Sequence, residues 1–163
     1  MNKQNKAMMA ELYKNYISLR YPSVPENALP SAKYNDTSAN SLTKCVIDFL
    51  NMSGHQAERI NTMGRYVDNR KTVTDVIGRT RTVGSGKYIK GTGTKGSSDI
   101  SATVFGRSLK AEVKWGNDRQ SEAQKRYQEQ IENAGGIYII VKDFDSFIEW
   151  YEAFRDEVKQ VNK

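Results

Sequence analysis

The sequence predicts a mixed α/β fold: a central mixed β-sheet flanked by helices, preceded by an N-terminal helical arm. Three observations carry this prediction. Residues 98–105 and 108–115 are adjacent and alternate apolar with polar side chains at the period of two that a half-buried strand requires. Ile137-Tyr138-Ile139-Ile140-Val141 is continuously apolar, as in a strand buried on both faces of an α/β sheet. Apolar residues recur at helical spacing in four stretches around them. Helix, strands, helix, strand, helix is the order of a sheet with helices on its faces.

The first helical stretch covers residues 2–20 through Met8, Leu12, Tyr13, Tyr16 and Ile17, and Pro22, Pro25 and Pro30 end it. A polar segment over 35–40 suits a turn or cap. The second helix is expected over 41–52, with Leu42, Val46, Phe49 and Leu50 on one face and Ser53-Gly54 as its stop. Residues 56–62 suit a short strand. Residues 69–97 carry glycine and serine so frequently that loops with one or two short strands, at 72–77 and 87–90, are expected. The two alternating stretches then meet at Gly106-Arg107, which fits a two-residue type II′ turn. A helix over 121–134 ends at Gly135-Gly136. The last runs through Phe144, Phe147, Ile148, Tyr151, Phe154 and Val158, with Asp143 or Asp145 available as its cap. The domain organisation expected is an arm and linker over 1–40 and one α/β domain over 41–163.

Composition narrows the chemistry. With 163 residues, 37% of them hydrophobic, the chain can bury one core. No run approaches the roughly 18 apolar residues of a membrane span, and the first nineteen residues lack the apolar stretch of a secretory signal. A cytoplasmic protein without membrane contact is expected. One cysteine, Cys45, and one histidine, His55, exclude a disulfide within the chain and a four-ligand Cys/His zinc centre, and nothing in the sequence near His55 points to a histidine-based triad. Cys45 reads as a buried helix residue and His55 as structural. The net charge of +6 is concentrated: residues 65–95 hold eight basic and two acidic side chains, and the remainder is balanced. A basic Gly/Thr-rich loop over 65–97 suits either phosphate binding or a solvated linker.

A turn at Gly106-Arg107 would set Asp99 opposite Lys114, Ser101 opposite Glu112 and Thr103 opposite Lys110, all on the polar face. Asp99 would lie diagonal to Glu112, about 7 Å away between Cβ atoms. Two carboxylates so placed can hold a hard divalent ion such as Mg²⁺ or Mn²⁺, and a neighbouring lysine can position a water or balance charge on a phosphate. The same residues suit a solvent face with a cross-strand ion pair worth about 0.2–1 kcal/mol. Trp115 falls in the apolar alternation, which favours core packing over stacking on a base.

The ordered set Gly96-Ser97-Ser98-Asp99-Ile100, Glu112-Val113-Lys114, Gln124 with Tyr127, and Ala134-Gly135-Gly136 before an apolar strand resembles the PD-(D/E)xK nuclease superfamily, and within it the VRR-NUC (virus-type replication-repair nuclease) branch. Upstream, residues 54–64, with Arg59-Ile60-Asn61, are similar to the family segment that leads into a variable loop. The resemblance spans 42–148 and implies a restriction-endonuclease-like core and metal-dependent DNA hydrolysis, with structure-selective cutting of branched or flapped DNA among its forms. It implies Asp99 and Glu112 as metal carboxylates, the Val113 carbonyl as a further ligand, Lys114 as the catalytic lysine, and Gln124 as the residue that orients it or touches DNA. Arg79, Arg81, Lys87, Lys90 and Lys95 would hold the DNA backbone. A phage or mobile-element setting and a homodimer making two cuts suit such an enzyme. Many members carry a further acid early in the first core helix, where this chain has Ser38, Ala39 and Asn40; the nearest acids are Asp36 and Asp48. One-metal chemistry, a substitute carboxylate and an inactive nucleic-acid-binding module are all compatible with that departure. A further reading pairs the arm's apolar stripe with another chain.

Overall fold

In the computed structural model, which describes residues 1–62, 64–91 and 93–161, the chain is a mixed α/β protein. In chain order it forms α1 (Lys3–Arg20), a 3₁₀ turn (Glu26–Ala28), α2 (Ala39–Met52), β1 (Gln56–Arg59), β2 (Arg65–Asp68), β3 (Lys71–Thr74), β4 (Thr80–Val83) and β5 (Gly86–Ile89). Then follow β6 (Ile100–Val104), β7 (Arg107–Val113), α3 (Glu122–Asn133), β8 (Ile137–Val141) and α4 (Phe144–Val161). Met63, in the segment similar to the family's variable-loop entry, lies outside the described residues.

The main sheet has strand order β1-β6-β7-β8. Its first three strands are antiparallel, and β8 returns parallel to β7 after crossing through α3. A parallel return needs such a crossover, whereas a hairpin does not. Ile100, Ala102, Val104, Leu109, Ala111 and Val113 line one face of β6 and β7, and all are buried. Phe49 of α2 completes that side, meeting Phe144, Phe147 and Tyr151 of α4 edge-on at 6.0, 5.8 and 4.9 Å between ring centroids. The opposite face of β7 and β8 is covered by α3, where Tyr127 meets Tyr138 at 6.4 Å.

Local chemistry sets the helix starts. Ser38 and Ser41 form a reciprocal capping box on α2, Ser121 and Gln124 form another on α3, and each satisfies backbone donors that a helix start leaves free. Asp143 caps α4 by accepting from Ser146 N–H at 2.8 Å. The arm packs on α2 and places Met9, fully buried, in the common core. Asn5 Nδ2 also donates to Asp145 at 2.6 Å. The stripe expected to be free for another chain is therefore used within this one.

Four sequence expectations are corrected. The β6–β7 turn has Phe105 and Gly106 at its centre, with φ of 50° and 78°, so both central residues are left-handed as in a type I′ turn. Phe105 accepts this strained backbone because its ring packs on His55, Tyr151 and Phe154 at 4.6, 5.6 and 5.9 Å. The pentapeptide strand β8 is at the sheet edge, and Ile140 is 43% exposed, so it is not buried on both faces. Trp115 lies beyond the end of β7, is exposed, and donates its indole N–H to the Asp36 carbonyl at 3.2 Å.

The basic stretch is not mainly loop. It contains four strands in two antiparallel ribbons, β2 with β5 and β3 with β4. Partner numbers add to the same total in both, so the ribbons are the halves of one long hairpin, interrupted at Asn69-Arg70 and Gly84-Ser85. No helix of the described residues is long and apolar enough to cross a membrane.

Candidate active site

The turn shift changes the site's geometry without changing its face. Moving the register by two residues keeps every side chain on its own side of the sheet, whereas a shift by one would invert them. Continued one step past Ile100↔Ala111, the observed register sets Asp99 directly opposite Glu112, not diagonal to it and not opposite Lys114. Asp99 is tied in place by its Oδ2, which accepts from Val113 N–H at 2.9 Å, and its own carbonyl accepts from Ile60 N–H at 2.8 Å. Val113 contributes that N–H, while its side chain is buried in the apolar core.

Glu112 and Lys114 share the other face of β7, and α3 encloses them. They are 2% and 6% exposed, which removes the reading of a solvent-facing ion pair. Lys114 Nζ lies 3.1 Å from Glu112 Oε1, 3.1 Å from Asp118 Oδ2 and 3.2 Å from Gln124 Oε1. Gln124 also donates through Nε2 to Glu112 Oε1 and accepts from Ser121 N–H at 2.8 Å. Its position follows from the capping box: the third residue of α3 must turn its side chain back to the helix start, where Glu112 and Lys114 stand. Gly96, in the turn before Asp99, comes to the same place. A Cβ on it would sit 2.4 Å from the Ala123 backbone, and its φ is +83°, so only glycine permits this approach.

The electrostatics follow from burial. Desolvation, then the charge of Asp99, holds the Glu112 carboxyl above the usual carboxylate range despite Lys114. Burial lowers the Lys114 pKa, but hydrogen bonds to Asp118 and Glu112 outweigh it and leave the pKa raised, so the amine is an ammonium at neutral pH. Tyr138, on the same face, has its phenol pushed up to about 12 by burial and by Glu112. Among the described residues, the buried side-chain oxygens without a hydrogen-bond partner are Glu112 Oε2 and the Tyr138 hydroxyl. Unpartnered buried oxygens are costly and uncommon. An orphaned carboxylate oxygen opposite a second carboxylate offers two of the oxygen donors that a hard divalent cation takes, the rest being waters or backbone carbonyls.

The third acid is absent. Among the described residues no group of three or more His, Cys, Asp or Glu side chains could hold a metal. Asp36 is bound to the Met1 amine at 2.7 Å and to Phe144 N–H at 3.2 Å, and Asp48 to the Tyr34 hydroxyl at 3.0 Å. Of Ser38, Ala39 and Asn40, the positions where the resemblance implies a further acid, Asn40 accepts from Arg59 at 2.9 Å.

The basic residues divide. Asp99 opens on a cleft of about 700 Å³ lined by Arg59, Ile60, Asn61, Thr62, Gly64 and Arg65. An adjoining cleft of about 500 Å³ shares Thr62 and Gly64 and is lined by Tyr88, Lys90 and Lys95. Lys90 and Lys95 are thus brought toward the site. Arg81 and Lys87 lie along the hairpin, and Arg79 is at its tip. His55 is half-buried among Phe105 and Tyr151, with Nε2 2.9 Å from the Tyr151 hydroxyl, and Cys45 is buried in α2, as expected of it. Sequence reasoning misses Asp118 and Tyr138. Asp118 reaches Lys114 only through the turn at Gly116, and Tyr138 reads in sequence as one more apolar strand residue. The chain matches no family model and no curated protein.

Proposed function

We propose that this protein is a Mg²⁺- or Mn²⁺-dependent DNA endonuclease that hydrolyses phosphodiester bonds. The observation that carries the reading is the buried Glu112 carboxylate, facing Asp99, joined to Lys114 and Gln124, and left with one oxygen unpartnered. Asp99 and Glu112, with the Val113 carbonyl, would hold the ion. Bound there, it would supply Lewis acidity toward the phosphate and a water of lowered pKa.

The chain's own residues have separate tasks. Lys114, kept an ammonium by Asp118 and Glu112, stabilises negative charge developing on the scissile phosphate. Gln124 orients Lys114 and Glu112 from the rigid first turn of α3. Lys90 and Lys95 hold the backbone beside the cleft, and Arg79, Arg81 and Lys87 hold it further out. Branched or flapped DNA is the substrate class the resemblance suggests, in a cytoplasmic phage or mobile-element setting and as a homodimer.

The test is incubation of plasmid, linear and branched DNA with the protein and Mg²⁺, beside Lys114→Ala and Glu112→Ala. Metal-dependent cleavage that disappears in both variants is expected; cleavage indifferent to either overturns the assignment. A second reading, a binding module of the same fold without cleavage, is favoured by one observation, that Asn40 stands bonded to Arg59 where a further acid is expected. It requires salt-sensitive DNA binding with no metal-dependent product.

A further inference from the structure

The tip of the long hairpin carries an anomaly that phosphate holding leaves unused. Asp75, Val76, Ile77 and Gly78 form the turn between β3 and β4. Gly78 N–H donates to the Asp75 carbonyl at 3.0 Å, and Asp75 N–H to the Arg79 carbonyl at 2.9 Å. Asp75 Oδ1 accepts from Ile77 N–H at 3.0 Å and Arg79 N–H at 2.8 Å. Gly78 takes the left-handed conformation, φ +80°, that closes such a loop. The turn is therefore rigid and internally satisfied. Its two central positions, where polar residues are usual, hold Val76 and Ile77, 103% and 69% exposed. No residue of the described chain covers them.

The ribbon behind the tip is two-faced. Thr72 pairs with Thr82 and Thr74 with Thr80 on one face; Lys71 pairs with Val83 and Val73 with Arg81 on the other. Every one of these residues is exposed. Both acids of the stretch are consumed internally, Asp75 by the turn and Asp68 by Arg70 at 2.7 Å. The charge left to a partner on Arg65, Lys71, Arg79, Arg81, Lys87 and Lys90 is all positive. At about 3.3 Å per residue the extended chain from Arg65 to the tip at Val76 reaches at most roughly 36 Å, close to one turn of duplex DNA at about 34 Å. Its base adjoins the clefts at Lys90 and Asp99.

We propose that Val76 and Ile77 form a wedge that enters the base stack of duplex DNA from the minor groove, with the ribbon along the groove and Lys71, Arg79 and Arg81 on the flanking phosphates. Apolar side chains inserted between base steps unstack them and kink the duplex, and arginine suits the negative potential of a narrow minor groove. The proposal rests on the reading of the chain as a DNA-binding protein, and not on its cutting DNA.

The test uses a duplex of about 25 base pairs carrying a donor and an acceptor fluorophore at its ends, titrated in EDTA with wild type and with Val76→Ser/Ile77→Ser, binding being read separately by anisotropy. Wild type should raise energy transfer as it binds. The double variant should bind with an unchanged salt slope and lose the rise; its substitutions are at an exposed tip, so the fold is retained. Wild-type binding without a change in transfer overturns the wedge, as does bending by the double variant. A concentration-dependent dimer, or binding to anionic vesicles, that the double variant abolishes would assign the tip to self-association or to lipid and overturn it equally. Absence of any DNA binding removes both this proposal and the nuclease reading, whereas bending without cleavage in Mg²⁺ supports the wedge and removes only the nuclease.

Discussion

Two antiparallel hairpins follow one another along this chain, and they differ in almost everything except their backbone. In β6–β7 the alternation is complete: Ile100, Val104, Leu109 and Ala111 are fully buried on one face, and α3 closes over Glu112 and Lys114 on the other. In the long hairpin every residue of β3 and β4 is exposed. A hairpin by itself is only marginally stable, and packing decides what it becomes. The covered hairpin turns charged residues into a desolvated constellation with altered pKa values. The uncovered one leaves its cations in water, the setting in which basic groups can attract phosphates at a distance and release their counterions on contact.

The sharpest way to break this contrast is to separate turnover from affinity. Glu112→Gln and Lys114→Met should each reduce turnover at saturating DNA by about 10²–10³-fold or more while most binding survives, measured by cleavage kinetics beside anisotropy. Reduced affinity with intact turnover would place these residues in binding instead.

Stability should divide the hairpins next. Leu109→Ala should cost about 2–5 kcal/mol, because Leu109 is fully buried and its removal leaves a cavity. Val73→Ala on the exposed ribbon should change stability by less than about 0.5 kcal/mol. Urea unfolding of the two variants reads the difference, and similar destabilisation would mean that the ribbon packs on something in solution.

The long hairpin should show itself through salt. Replacing Arg79, Arg81, Lys87 and Lys90 should flatten the dependence of log K on log salt by up to about one unit for each cation removed, uniformly across sequences, with turnover at saturation retained. A change confined to certain sequences would mean that the hairpin reads bases.

The smallest effect belongs to His55, behind the β6–β7 turn. Burial lowers its pKa, so the unfolded chain takes up the proton more readily than the folded one. Stability should therefore fall as pH drops below about 6.5 toward the lowered value, and be unaffected by His55 above it. His55→Gln, which keeps a polar partner for Tyr151, should flatten that slope in thermal melts from pH 5 to 8.

Legibility depends on whether a signal is local. Helix positions are readable because apolar spacing and capping residues such as Ser121 and Asp143 act within one or two turns. The polar-face set Asp99, Glu112 and Lys114 is readable because strand parity survives a register shift of two. The turn itself is not, since Phe105 adopts a left-handed backbone only because three distant aromatic groups hold its ring. In the hairpin over 65–89 the short strands expected at 72–77 and 87–90 overlap β3 and β5, whereas β2 and β4 read as loop for the converse reason: with no buried face they have no apolar alternation, and only the register with a partner reveals them. Sequence by itself determined the order of the elements outside residues 65–89, the charge of the long hairpin and the face on which each candidate residue stands, since these follow from residue identity and the period of the backbone. The tertiary structure decided that Asp99 faces Glu112, that Asp118 and Gln124 meet Lys114, and that Glu112 is desolvated, because each depends on α3 crossing over the sheet and excluding water from one end of β7.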